Sequence, residues 1–209
     1  MLNLMQNDLL KEWMNTFVGK AASLLSEMVG QRITLNIPIA DLINLTDGSQ
    51  QLNYYNSLKE FKHVITSSVR FGNMFTGKAY LVFPVEQAKK IVHACLNEPQ
   101  YSQEEDHFAD TDFDVLREIG NVILNAILGE MGNVMEVKME YSLPEVEMLY
   151  VSDADQSLME PNNIYVLLLY TNFFLADINV TGMVIIALGM NSVTLLIDKL
   201  NDYIGQLDE

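Results

Sequence analysis

The sequence is poor in cysteine, in basic residues and in long apolar runs, and each shortage excludes a class of protein. Cys95 is its one cysteine, so no disulfide can form within the chain and a reducing compartment is indicated. Lys and Arg number 12 against 28 Asp and Glu, which gives a formal net charge of −16. Because so acidic a chain repels nucleic-acid phosphates and anionic membrane surfaces, we expect neither as a partner.

Signals for export or membrane insertion are also missing. The longest apolar stretches, such as Tyr165–Tyr170 and Met183–Met190, are far shorter than the roughly 20 residues of a membrane-spanning helix. The N-terminal residues show no basic leader followed by an apolar stretch and a cleavage site of small residues. We therefore expect a cytoplasmic protein, and its 49% of hydrophobic residues suffice for a folded core.

The sequence offers no familiar set of residues for nucleophilic or metal-centred catalysis. It contains no His-Glu-x-x-His motif, no Ser/His/Asp or Cys/His arrangement and no glycine-rich phosphate loop. The three histidines, His63, His93 and His107, are scattered, and Cys95 fits a helical pattern as a small buried side chain. We expect no metal or cofactor that belongs to this chain itself.

An internal repeat is the main positive feature. Asp8, Glu12 and Asn15 are followed after 22 residues by Pro38, and the same pattern recurs 106 positions later. That second copy consists of Asp114, Glu118, Asn121 and Pro144. A third match pairs Phe75–Phe83 with Val180–Leu188 at an offset of 105. We predict repeats of about 1–97 and 107–209, joined by the acidic, solvated connection 98–110.

Hydrophobic periodicity predicts the same order of elements in both repeats: a helix, a strand, a variable connection, a strand pair and a second helix. Gly30 and Gly132 are the expected stops of the two opening helices. No flexible linker separates the repeats, so we predict one α/β (α+β) domain over 1–209. It has pseudo-twofold symmetry and a six-stranded, mainly antiparallel sheet. The predicted strands and second helices are Arg32–Ile37, Val64–Phe71, Thr76–Phe83, Val134–Tyr141, Ile164–Phe174, Ile178–Leu188, Val85–Leu96 and Asn191–Ile204.

The repeated polar residues form a stripe on each opening helix. At about 100° per residue, Asp8, Glu12 and Asn15 fall within an arc of roughly 60°. A single such stripe is what any amphipathic helix shows to water. Surface positions of a diverged duplication are free to drift, yet these agree in both copies while flanking residues such as Trp13 and Ile119 differ. We infer that a function beyond solubility retains them.

Asparagine and glutamate at this spacing are suited to act on a phosphorylated partner. The asparagine amide both donates and accepts hydrogen bonds, so it can hold a water in line for attack on a phosphoryl group. A carboxylate one turn earlier on the helix can pair with a partner's lysine or arginine and fix the docking geometry. The partner must then supply the remaining catalytic groups.

The two motifs resemble the pattern of the CheC/CheX/FliY family of CheY-P phosphatases, in which Asp or Ser, Glu, Asn and, 22 residues later, Pro recur. Two full copies in about 200 residues most resemble its two-site CheC members. The resemblance implies an α/β fold with both motif helices against one face of a shared antiparallel sheet. It also implies hydrolysis of the aspartyl phosphate of a CheY-like response regulator.

Carried over by position, the resemblance gives Asn15 and Asn121 the role of orienting water, and Glu12 and Glu118 that of contacting a lysine of the regulator. The regulator contributes Mg²⁺. A CheD-like deamidase is a further partner that the resemblance suggests, although no contact for it is identified. The remaining motif positions are expected to support the helix or to end a strand: Asp8, Asp114, Pro38 and Pro144.

One departure concerns the residue before each asparagine, where the family more often has a small one. Trp13 and Met14 precede Asn15, whereas Gly120 precedes Asn121. If that bulk stands at the surface, the second copy is the better site; if Trp13 and Met14 face the core, this reason disappears. Three other functions stay open: a module that sequesters a phosphorylated regulator, a part of the flagellar switch, and a regulator phosphatase outside chemotaxis.

Overall fold

The computed structural model describes residues 2–47, 63–96, 108–150, 165–175 and 178–207. Within these ranges the chain forms four helices and seven strands, numbered here in chain order. The helices are α1 (Leu4–Val29), α2 (Val85–Leu96), α3 (Asp110–Met135) and α4 (Met190–Leu207). The strands are β1 (Ile33–Asn44), β2 (His63–Gly72), β3 (Gly77–Pro84), β4 (Glu140–Tyr141), β5 (Glu145–Tyr150), β6 (Tyr165–Leu175) and β7 (Ile178–Leu188).

The strands form one antiparallel sheet in the order β1-β6-β7-β3-β2-β4, with β5 also paired to β2. Both motif helices pack on it, α1 against β1 and α3 against β2 and β3. The predicted α/β class with an antiparallel sheet is therefore confirmed. The predicted number of six strands is wrong for the described residues, because the segment after α3 contributes two short strands instead of one.

The strand predicted over Val134–Tyr141 is the source of that error. Helix α3 continues to Met135, and the chain then turns through Glu136, whose φ of 55° is left-handed. Met131, Met135 and Met139 all join the core, so burial of these side chains favours the longer helix over the local β-branched pattern. The segment reaches the sheet only at Glu140.

The expected helix stop at Gly132 is also wrong, whereas the one at Gly30 is confirmed. Gly30 ends α1 with a φ of 70°, a conformation that glycine adopts without steric cost. Gly132 lies inside α3, where an added Cβ would come within 3.1 Å of the Val137 carbonyl oxygen. Its small size permits the chain to fold back closely after the helix.

The two motif prolines lie on or beside strands. Pro38 was expected to end a strand, but β1 runs through it to Asn44, with an irregularity in register against β6 between Asn36 and Ile39. Because β1 is an edge strand with a bulge at this point, a proline without an N–H is tolerated there. Pro144 separates β4 from β5.

Two clusters of buried side chains use opposite faces of the sheet. Alternation along β3 sends Leu81 to the larger cluster and Val82 to the smaller one. All four described helices contribute to the larger cluster, through residues such as Leu10, Ile91 and Ile123. Among the described residues, the smaller cluster consists of strand residues and Leu45. These helices therefore share one face of the sheet.

Strand pairing joins the two halves of the sequence. β1 from the first half pairs with β6 from the second, and β2 pairs with β5. The division into two repeats stays a prediction. Of the acidic connection 98–110, positions 98–107 lie outside the described residues, and Asp110 is the first residue of α3. None of the described helices is long and apolar enough to cross a membrane.

Candidate functional site

Helix α1 presents the first copy of the polar motif to solvent. Asp8, Glu12 and Asn15 are exposed, while the residues between them on the opposite side of the helix are buried. An Asn3–Gln6 capping box begins the helix, and a hydrogen bond of 2.7 Å from Gln6 Nε2 to Asn201 Oδ1 ties it to α4. The start of α1 is thereby anchored close to the motif.

The asparagine and glutamate side chains of this first copy form no hydrogen bond with the described residues. The Asn15 amide makes no hydrogen bond with any residue that the structure describes, and the same holds for the Glu12 carboxylate. The backbone oxygen of Glu12 accepts a hydrogen bond from Thr16 Oγ1 at 3.0 Å. Both side chains are available to a partner.

Helix α3 presents the second copy in a different state. Asp114 and Glu118 are exposed, and Asp114 forms an ion pair with Arg117. Asn121 is half-buried, and its Oδ1 accepts a hydrogen bond of 2.7 Å from Asn125 Nδ2. The two copies thus share their residues but differ in how firmly the asparagine is held.

The residues before Asn15 do not obstruct the first copy. Met14 is fully buried, and Trp13 is 8% exposed, with its ring edge-on to Tyr203 at 5.7 Å between centroids. Both side chains belong to the core, which confirms the second of the two alternatives considered above and removes the steric reason to prefer the Asn121 copy. Any preference for the Asn121 copy must have another cause.

Gly120 allows α3 to approach the sheet closely. A Cβ at this position would overlap the Ser67 side chain on β2. The glycine beside Asn121 therefore serves helix–sheet packing, which is a structural reason for a small residue there.

A groove runs between α1 and α3 next to the second asparagine. An ion pair between Lys20 and Glu130 links the two helices across it. The groove is lined by Lys20, Leu24, Asn121, Val122, Asn125, Ala126, Gly129, Glu130 and Asn133. Sequence analysis missed Lys20, Glu130 and Asn125, because the search for repeated residues passes over positions that differ between the copies.

Other titratable side chains form no second site among the described residues. No three His, Cys, Asp or Glu side chains in these ranges are grouped as metal ligands. His63 packs on Tyr150 at 4.4 Å between ring centroids, and His107 lies outside the described residues. Burial raises the pKa of Cys95 from 9.0 to about 12, so its thiol stays protonated and unreactive near neutral pH.

Comparison with known proteins agrees with this fold. No protein-family model matches the chain. The CheY-P phosphatase CheC of Bacillus subtilis (strain 168) is 23% identical over 159 residues, which are 74% of this chain and 72% of that protein. FliY of Thermotoga maritima superposes with a TM-score of 0.75 and 15% identity, covering 97% of this chain and 98% of that chain.

The chain is similar in sequence to a CheC protein and in fold to FliY, which are members of the CheC/CheX/FliY family. A chain of the CheX–CheY–BeF3–Mg²⁺ complex of Borrelia burgdorferi aligns with a TM-score of 0.52 and 16% identity, over 86% of this chain and 99% of its own. The FliM middle domain of H. pylori aligns at 0.64 with 12% identity, over 95% and 99%. At such identities the structural likeness shows the CheC-like fold alone, and membership of the two-site CheC branch stays a prediction.

Proposed function

We propose that this chain is a protein aspartyl-phosphate phosphatase that acts on a CheY-like response regulator in chemotaxis signalling, in the cytoplasm. The observation that carries the proposal is the pair of Asp/Glu/Asn stripes, each at the surface of a helix that is packed on the shared sheet. The relative from Bacillus subtilis, a CheY-P phosphatase, supports the substrate class.

In the proposed reaction, the amide of Asn15 or Asn121 enters the regulator's active site and orients a water molecule in line with the phosphoryl group. The water oxygen attacks phosphorus, the bond from phosphorus to the aspartyl oxygen breaks, and inorganic phosphate and a free carboxylate result. Positioning and charge stabilisation supply most of the catalysis in phosphoryl transfer. Mg²⁺ belongs to the regulator in this proposal, and the chain needs no cofactor of its own.

Glu12 and Glu118 set the docking geometry in this proposal. Each carboxylate is exposed one turn before its asparagine, where it can pair with a lysine of the regulator. Such a pair contributes little while both groups are solvated, but partial desolvation in an interface strengthens it. A fixed register would bring the amide to the phosphoryl group each time the two proteins meet.

The remaining motif residues have supporting roles in this proposal. Asp114 pairs with Arg117 on its own helix, and Asp8 lies in the equivalent place on α1, so either could make a secondary contact with the regulator. Pro38 and Pro144 lie on or beside strands and not on the motif helices, which favours a structural role for them.

The alternative is a non-catalytic protein that holds a phosphorylated regulator or takes part in the flagellar switch. The observation that favours it is the similarity to the FliM middle domain over nearly the whole chain, at a higher TM-score than that of the CheX–CheY complex. Exposed carboxylates on two helices would serve docking equally well without any hydrolysis.

Measuring multiple-turnover release of phosphate distinguishes a phosphatase from a protein that only binds the regulator. A CheY-type regulator is phosphorylated with a small phosphodonor and Mg²⁺ and freed of the donor, and the loss of its aspartyl phosphate is followed with the chain far below the regulator in concentration. A phosphatase releases many equivalents of phosphate per chain. A sequestering or switch protein binds the regulator but leaves the decay rate unchanged or lower, and that result would overturn the proposed activity.

A further inference from the structure

The second copy of the motif contains a hydrogen bond that the first copy lacks. Asn125 lies one helical turn after Asn121, and its Nδ2 donates to Asn121 Oδ1 at 2.7 Å. Both side chains are half-buried at the groove between α1 and α3. The contact restricts the Asn121 side chain to one rotamer and leaves its own amide hydrogens for a water or a partner.

Asn125 occupies this position at a cost to the fold. Its Oδ1 is buried and finds no hydrogen-bond partner among the described residues, and a buried acceptor without a partner is destabilising. An alanine would remove that acceptor and has a higher helix propensity. Stability alone therefore gives no reason for an asparagine here.

The first copy of the motif has no such contact among the described residues. The position equivalent to Asn125, by the offset of 106, is Gly19. Asn15 is exposed and makes no side-chain hydrogen bond within the described part of the chain. Its amide must lose rotamer freedom when it enters a partner's active site, and that loss opposes the reaction.

We propose that Asn125 is a positioning residue, which holds the Asn121 amide in the rotamer that orients the attacking water and so makes the second copy the faster of two unequal sites. This inference rests on the proposed phosphatase function. Asn125 acts through Asn121 and does not touch the phosphoryl group.

The first test isolates the second copy by working in an Asn15→Ala background. Adding Asn125→Ala should lower kcat about three- to tenfold, because the amide is no longer held in place, while KM stays within about twofold because the docking carboxylate is intact. Adding Asn191→Ala, which removes an exposed asparagine of α4 outside the groove, should leave both parameters unchanged. The melting temperature of the Asn125→Ala protein should equal or exceed that of its parent.

The second test transfers the contact to the first copy. Gly19 is exposed, and an added Cβ there meets no atom within 4 Å. In an Asn121→Ala background, Gly19→Asn should raise kcat severalfold, whereas Gly19→Ala, which gains more helix propensity but has no side-chain amide, should not. A merely structural role for Asn125 predicts no gain from this graft.

The results of these tests distinguish failure of the Asn125 role from failure of the proposed phosphatase function. If the wild-type chain does not accelerate loss of the regulator's phosphate, the proposed function fails and this inference fails with it. If the Asn15→Ala protein is active and Asn125→Ala leaves its kcat unaltered, the inference alone is overturned. A lower melting temperature together with equal losses in kcat and 1/KM would also overturn it, because those losses indicate a structural role.

Discussion

At the residue scale, a water-orienting amide has two conflicting requirements. It must be exposed enough to enter another protein, yet its side chain should not sample many rotamers once there. Asn15 is exposed and so meets the first requirement. Asn121 is less exposed, but its side chain is held by a hydrogen bond from Asn125. The two motifs, identical at three positions, therefore differ through a neighbour one turn away.

The glutamates are expected to govern binding rather than the chemical step. Glu12→Lys and Glu118→Lys, combined in one chain, should weaken binding of a beryllofluoride-activated CheY-type regulator by about tenfold or more, since each reverses the charge at a docking surface. The effect should shrink as salt is added, because exposed charges are screened. Isothermal titration at two salt concentrations measures both trends.

The double variant Glu86→Lys/Glu145→Lys is the matched control for this prediction. Glu86 on α2 and Glu145 on β5 are both exposed, and together they make the same change in net charge away from the motif helices. An equal loss of affinity in the control would show that the overall charge matters, and would remove the specific role of Glu12 and Glu118.

Cys95 gives a prediction about pH. Its pKa is about 12 in the folded protein against 9.0 when exposed, so well below pH 9.0 both states keep the proton and the thiol adds no pH dependence to stability. Between 9.0 and about 12 the unfolded state loses its proton first, and the free energy of unfolding falls. Urea unfolding of the wild type should show this additional fall relative to Cys95→Ala, and parallel curves for the two proteins would contradict it.

At the element scale, the closeness of α3 to the sheet depends on Gly120. Gly120→Ala should destabilise the protein by about 1–3 kcal/mol, because the new methyl group overlaps Ser67 on β2 and forces the helix outward. Gly129→Ala on the same helix meets no atom within 4 Å, so it should stabilise by about 0.5–1 kcal/mol through helix propensity. Chemical unfolding of the two variants should give changes of opposite sign, and equal changes would contradict this account of Gly120.

The local sequence pattern was sufficient to predict most of the described helices and strands. The helix Val85–Leu96 and the strand Ile178–Leu188 lie where periodicity puts them, because their apolar spacing and their burial agree. The segment after α3 could not be predicted in this way. Met135 and Met139 enter a core that is built by distant parts of the chain, and this tertiary burial outweighs a local preference for strand.

The candidate site likewise has features that local sequence predicts and features that depend on tertiary contacts. Exposure of Asp8, Glu12 and Asn15 follows from helical spacing alone. Neither the Lys20–Glu130 ion pair nor the close approach of Gly120 to Ser67 follows from it, since each joins elements that are far apart in sequence. Asn125 could have been noticed as an i, i+4 neighbour of Asn121, but comparison of the two copies selects only what they share.

At the scale of the whole molecule, the sheet makes the two halves depend on each other. β1 finds its partner in β6 and β5 finds its partner in β2, so each half alone would leave an edge strand without its partner and part of the core exposed. We expect separate chains of residues 1–97 and 108–209 to show no cooperative unfolding transition by circular dichroism. A cooperative transition in either fragment would contradict this mutual dependence.

In the proposed function, Asn15 and Asn121 make this chain a phosphatase. Its most direct test is the rate at which a phosphorylated CheY-type regulator loses phosphate with Asn15→Ala/Asn121→Ala, compared with wild type and with Asn179→Ala, which removes an exposed asparagine of β7. We predict that wild type and Asn179→Ala accelerate the loss equally, while the double variant still binds the regulator but gives only its unassisted rate. Full acceleration by the double variant would contradict the account.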